Sequence, residues 1–174
     1  MTLRLAPITT ERFPAWLRRC RTEYEADLVR SGESPEQAQA HAAASLESAF
    51  PDGGPTADSA VFHVVASDDA SSEVPSTNGD GTTDNDAEVG YLWVGRGTSG
   101  DPTAWWIWDI VINESHRGRG YGRTAMELAE EYALSRGAKT LGLSVFGFNK
   151  VAQGLYESLG YETTTVKMQK PLAH

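Results

Sequence analysis

One cysteine, Cys20, stands in 174 residues, so neither an intrachain disulfide nor a CxxC-type zinc site can form. That usage fits a reducing compartment, and the cytoplasm is the expected location. The chain lacks any run of the ~18 apolar residues that a bilayer span needs, and its opening, MTLRLAPITT, lacks the apolar core of a secretory signal. No membrane partner is expected. A basic excess is lacking too: 15 Lys and Arg face 24 Asp and Glu, a net charge of −9. Seven of those acids, with no base among them, lie between Ser67 and Glu88, which leaves 15 bases against 17 acids elsewhere. A near-neutral body with one acidic stretch has no footprint for nucleic acid or anionic lipid, so any anion must be held locally. His63 and His116 have no partners at metal-ligand spacing, and no metal is expected.

What is present suits one compact domain spanning residues 1–174, with 40% hydrophobic residues to build its core. Thr2 to Ile8 reads as a short strand. Phe13, Trp16, Leu17, Cys20, Tyr24 and Leu28 recur at helical spacing up to Gly32, and Ser34 with Pro35 opens a second, Ala-rich helix to Phe50. Val61 to Ser67 and Val89 to Val94 read as a strand pair. The acidic link between them, about 67–88, has almost nothing to bury and is expected to be a disordered surface insertion.

Ala104 to Asn113, AWWIWDIVIN, is apolar on both faces, as a central strand is. It runs through a glycine-rich turn into a helix, Gly122 to Arg136, and a strand, Lys139 to Phe146, a unit whose two strands should be parallel. Asn149 caps a last helix ending at Gly160, and Tyr161 to Gln169 reads as a closing strand. The expected fold is α/β, a mixed sheet in the order β-α-α-β-β-β-α-β-α-β with helices on both faces.

The turn, Arg117, Gly118, Arg119, Gly120, Tyr121, Gly122 and Arg123, sits where a strand hands over to a helix. Free N–H groups and the positive end of the helix dipole converge there, glycines let a phosphate reach the main chain, and three arginines add charge. Arg123 stands where a dinucleotide fingerprint would need its third glycine, and no lysine is present for a P-loop.

At this turn the chain resembles the GCN5-related N-acetyltransferase family, whose acyl-CoA motif is Arg or Gln, two residues, Gly, one residue, Gly or Ala; Arg117, Gly120 and Gly122 fit it in order. LSVFGFNKVAQGLYESLGY resembles the same family's ending of strand, Asn, helix and LYE-x-LG. The resemblance implies acetyl-CoA as cosubstrate. It puts the pantetheine arm along Ile110, Val111 and Ile112, the pyrophosphate in the turn from Arg117 to Arg123, and Asn149 on the arm or a water beside its capping role. It implies that Tyr156 protonates the departing CoA thiolate. A phenol near pKa 10 suits a thiol near 8.5, and seven residues place Tyr156 on nearly the same helix face as Asn149.

The attacking amine must be neutral, which costs a lysine-like amine about 4.6 kcal/mol at pH 7, so a base is useful. Asp109 is the candidate: alternation puts it with Trp105, Ile107 and Val111 on an apolar face where a lone carboxylate is expensive. Other members of the family place a glutamate in the following strand, where this chain has Ser144. An Asp–Arg structural pair, or a water relay from Glu23 or Glu25, are the alternatives. Trp105, Trp106 and Trp108, with Tyr91 and Trp93, can line an acceptor pocket only in part, since neighbours on a strand face opposite ways. The expected reaction is acetyl transfer from acetyl-CoA to a primary amine of a small molecule or peptide by direct attack. Cys20, in the first helix, is not expected to form a covalent intermediate. A non-catalytic acyl-CoA sensor is the rival reading. A homodimer completing the sheet is a further possibility.

Overall fold

The computed structural model describes residues 2–67, 86–170 and 172. β1 (Thr2–Pro7) leads into α1 (Phe13–Arg30), which buries Phe13, Trp16, Cys20 and Leu28 on one stripe. Ser34 caps α2 (Pro35–Ala49): its hydroxyl accepts from the Gln37 N–H while the Gln37 side chain accepts from the Ser34 N–H, a complete capping box. β2 (Ser59–Ser67), β3 (Asp86–Arg96) and β4 (Ala104–Ile112) follow, then a short 3-10 turn, α3 (Tyr121–Ser135), β5 (Thr140–Leu143) and α4 (Lys150–Ser158).

The strands form one sheet in sequence order, antiparallel from β1 to β4, with β5 parallel to β4. The expected mixed sheet and the parallel β4–β5 unit are therefore present. α3 buries Ala125, Met126 and Ala129 in one core with Val64, Leu92 and Ile107. On the opposite face α1 and α2 bury Phe13, Trp16, Leu46 and Phe50 with Val61, Tyr91 and Trp93, where the Trp16 ring meets Tyr91 and Trp93 edge-on at 5.9 Å. No helix among the described residues is long and apolar enough to cross a membrane.

The closing strand expected over Tyr161 to Gln169 is not formed: residues 161–170 join no ladder, and Val166 and Met168 stay exposed. β5 is itself four residues long, ending at Leu143 rather than Phe146. Phe146 packs beside Leu28, Ala38 and Ala42 of the helical layer and stacks on Phe148, over which the Arg30 guanidinium sits at 4.1 Å. Side chains that would have extended β5 are thus committed to α1 and α2, and little edge is left for a further strand.

The acidic insertion is shorter than expected. Ser67 and Asp86 pair across β2 and β3, Arg4 meets Asp86, and Glu88 meets Arg12 and His63. Long-range partners for these acids draw both ends of the segment into the sheet, and the remainder, 68–85, lies outside the described residues.

Gly142 of β5 lies opposite Trp106, and a Cβ there would stand 2.3 Å from the indole. Gly142→Ala is expected to cost about 1–3 kcal/mol by overpacking and to lower the melting temperature. An unchanged Tm would mean that the indole has room to move.

Candidate active site

The first feature of the site is a bulge. Trp93 pairs with Asp109 but Val94 with Ile107, so Trp108 is the extra residue in β4. Trp105 and Ile107 enter the core under α3, whereas Asp109 turns to the other face, beside Cys20 of α1 and Tyr91 of β3. The expectation that Asp109 shares a face with Trp105 and Ile107 is therefore corrected: strict alternation holds only where no residue is inserted. Val111 does share the face of Asp109. Trp108 stacks on Trp93 with ring centroids 5.8 Å apart and lies 6.3 Å from Trp106, so these three indoles share one face and Trp105 the opposite one.

Beyond Ile107 and Leu143 the β4–β5 ladder ends, and Asp109 to Ile112 pair with β3 alone. The Asn113 N–H donates to Val89 O on β3. Successive residues of a strand turn their main-chain groups to alternate sides, so Val111 faces β3, while Ile110 and Ile112 face the edge that β5 leaves. There Arg117 Nε donates to Ile112 O at 2.9 Å. An internal edge of this kind can pair with an extended, amide-bearing ligand.

The same strand delivers the chain to the glycine turn. Gly118 and Gly120 have φ of 74° and 83°, left-handed values that glycine adopts without penalty, and no atom lies within 4 Å of where a Cβ would be. Gly120 is the N-cap of α3 and supplies no side-chain cap, so the first N–H groups of the helix keep their affinity for an anion. Gly122 lets α3 approach α4, since a Cβ would stand 3.3 Å from Leu155 Cδ2. The Tyr121 ring is buried in the core beneath α3. Arg117, Arg119 and Arg123 are exposed, and each rests on an acceptor of the chain itself: Ile112 O, Ser115 O and Ser158 Oγ.

Across the open edge stands α4. Asn149 caps it, its Oδ1 accepting from the Ala152 N–H at 3.2 Å. Tyr156 belongs to the partly buried fringe of the α3-side core, with Ile110, Ile112 and Leu143. Its phenol is pushed above its ordinary value by burial first and by the Asp109 charge second. Tyr156 and Asp109 come from opposite faces of the sheet, the one with the α3-side core and the other beside Cys20 and Tyr91.

Asp109 is held in a small polar cluster. Its Oδ2 accepts from the Tyr91 hydroxyl at 2.7 Å and from Cys20 Sγ at 3.4 Å. Burial pushes its pKa up, opposed by those two hydrogen bonds. The Cys20 thiol is pushed up too, by burial and then by Asp109, so it stays protonated and is no nucleophile. The Tyr91 hydroxyl also lies 2.7 Å from Glu23 Oε2, and Glu23 Oε1 accepts from Arg19 Nε at 2.9 Å. Arg19 is fixed in turn by Asn113 Oδ1 and by the Tyr91 ring, 5.0 Å below it. Glu23, offered with Glu25 as the source of a water relay, is thus joined to Asp109 by Tyr91 and held by Arg19, partners that no local signal in the sequence marks. Ser144 follows the last residue of β5. A cavity of about 300 Å³ under α1, lined by Arg12, Trp16, His63 and Glu88, reaches this cluster through Arg19 and Tyr91, but Asp109 and Tyr156 lie outside it.

Comparison with known proteins places this geometry. Residues 46–161 match the model of the acetyltransferase (GNAT) family. The "Uncharacterized N-acetyltransferase YycN" of Bacillus subtilis (strain 168) is 28% identical over 99% of this chain and 100% of its own length, and its crystal structure superposes with a TM-score of 0.80. "Uncharacterized N-acetyltransferase YdgE" of the same organism is 32% identical over 52% of this chain and 58% of its own. An aminoglycoside N-acetyltransferase, AAC(6')-Iy, solved with CoA, shares the fold at a TM-score of 0.57 and 12% identity, over 98% of this chain and 95% of that one.

Proposed function

This chain belongs to the acetyltransferase (GNAT) family and is an N-acetyltransferase, and we propose that it moves the acetyl group of acetyl-CoA to a primary amine by direct attack within a ternary complex. The observation that carries this reading is the continuity of the open β4 edge with the uncapped, glycine-lined start of α3, with Tyr156 on one face of the sheet beside it and Asp109 on the other. In this reading the main-chain groups of Ile110 and Ile112 hold the pantetheine arm, Val111 fixing their register through β3, and Asn149 assists from the head of α4. The N–H groups of Gly118, Gly120, Tyr121 and Gly122 receive the pyrophosphate. Arg117, Arg119 and Arg123, already exposed, exchange their present acceptors for phosphate oxygens.

Asp109 accepts the proton that the amine must lose, and Tyr156 gives a proton to the thiolate as the C–S bond breaks. An N–H of the open edge, at Ile110, steadies the thioester oxygen as it gains charge. The stacked indoles of Trp93 and Trp108 suit the apolar part of an acceptor.

Thermal-shift titration with acetyl-CoA, CoA, ATP and NAD tests the first half. A ligand at about 100 times its dissociation constant adds roughly 2.7 kcal/mol, several degrees for a domain of this size. The CoA compounds alone are expected to respond, and a folded protein indifferent to them would defeat the proposal. The second half is read as free thiol released from acetyl-CoA with thialysine, an aminoglycoside and an alanine-terminated peptide, acceptor classes that occur in the names of similar acetyltransferases. Binding without release over such a panel would favour the acyl-CoA sensor instead.

A further inference from the structure

The Tyr91 hydroxyl lies 2.7 Å from a carboxylate oxygen on each side, Asp109 Oδ2 and Glu23 Oε2, yet it has one proton to donate. Two ionised carboxylates cannot both be satisfied by it. One contact must run the other way, from a protonated carboxyl into the hydroxyl's lone pair. The surroundings choose which. Glu23 accepts from the Arg19 guanidinium, and its side chain is 40% exposed, so water and a fixed cation stabilise its charge. Asp109 is enclosed by Cys20 and Tyr91, with Tyr156 beyond the open edge and, among the described residues, no cation bonded to it. At rest the shared proton therefore sits on Asp109, Tyr91 accepts from it, and Tyr91 donates to Glu23.

A protonated Asp109 cannot take a proton from an amine. We propose that Asp109, Tyr91 and Glu23 work as one base, in which Tyr91 carries the proton between a buried carboxylate facing the substrate and an outer one facing water. The inference rests on Asp109 as the base of the proposed reaction. Its steps balance: the Asp109 O–H bond breaks as its proton passes to the Tyr91 oxygen, and the Tyr91 O–H proton passes to Glu23, which releases it to water. Asp109, now an anion, takes one proton from the attacking amine and returns the trio to its resting state. Tyr91 is then a positioning residue, acting through Asp109, and its placement on β3 fixes both distances at once. The titratable or charged groups around the trio are Cys20, Arg19 and Asp27 of α1, Tyr156 of α4, and Glu11, Arg12, His63 and Glu88 in the cavity that Tyr91 and Arg19 line. Burial, and then the neighbouring Glu23 charge, push Asp27 up, which Arg30 opposes.

The test reads the protons first. In wild type with ¹³C-labelled carboxyls, the Asp109 carboxyl signal is expected to titrate in two steps, the second following Glu23, because the pair shares macroscopic constants. Tyr91→Phe, which keeps the ring against Trp16, and Glu23→Gln should each collapse this to one step. Independent single-step titration of both carboxyls in wild type would overturn the proposal. With an amine accepted in the panel above, Tyr91→Phe and Glu23→Gln should each lower kcat about tenfold or more and move the acid limb of the pH profile. The double variant should be no worse than either single one, because members of one unit are not additive. Additive losses, or an unmoved limb, would overturn it. Asp109→Asn separates the two readings: if that variant stays fully active the base itself is misassigned, whereas its inactivity beside a normal Tyr91→Phe would remove only the relay.

Discussion

Asp109→Asn is expected to lower acetyl transfer to a lysine-like amine by about 10²–10⁴-fold at pH 7, the usual contribution of a general base, while acetyl-CoA binding is unchanged. The side chain keeps its size and, as an amide, can still hydrogen-bond within the cluster of Tyr91 and Cys20, so the loss reports proton transfer rather than shape. The pH dependence sharpens the test. Without a base only amine already neutral can attack, and the rate of the variant should climb about tenfold per pH unit toward the amine's own pKa, near 10.4. A variant that follows the wild-type profile would exclude Asp109.

The same substitution should raise stability. Burial places the folded pKa of Asp109 above its unfolded value, so between the two the native state binds more protons than the unfolded chain. Wild-type stability from this group is then highest below the ordinary carboxylate range and falls as pH rises toward the raised folded value. Asn has no charge to bury. The Tm advantage of Asp109→Asn should therefore be nil at acid pH and grow over that window, a stability gained at the cost of function.

Tyr156→Phe is expected to lower kcat about 10²-fold or more with little change in Tm or in acetyl-CoA affinity. The ring keeps its place at the edge of the α3-side core, and only the hydroxyl is lost. Burial holds the phenol protonated, as an acid must be before its step. The same burial bears equally on a thiolate leaving at the same spot, so the proton still has reason to move. Single-turnover release of thiol, compared with release under turnover, separates this step from product dissociation. An unchanged single-turnover rate would leave Tyr156 as packing alone.

The glycine turn was legible because everything it needs is local. A central apolar strand, two glycines in left-handed conformations and a helix without a side-chain cap follow one another within twenty residues. The Ser34 cap and the parallel β4–β5 unit were legible for the same reason. Tyr161 to Gln169 misled because Thr and Val describe a willingness to be a strand, and only a free edge makes one. β5 offers four residues of edge, the rest of its expected length having gone with Phe146 to the helices.

The sequence by itself determined the order of elements as far as α4 and the glycine turn between β4 and α3, and it singled out Asp109 and Tyr156 as candidates, since each is written in short-range spacing or in a motif. Tertiary structure decided where Asp109 points and what it touches. One inserted residue, Trp108, turns it from the α3 face to the α1 face, and its partners lie 18 and 89 positions away at Tyr91 and Cys20. Spacing cannot register a bulge, and a carboxylate's basicity is set by whichever groups the fold brings within hydrogen-bond reach, not by its neighbours along the chain.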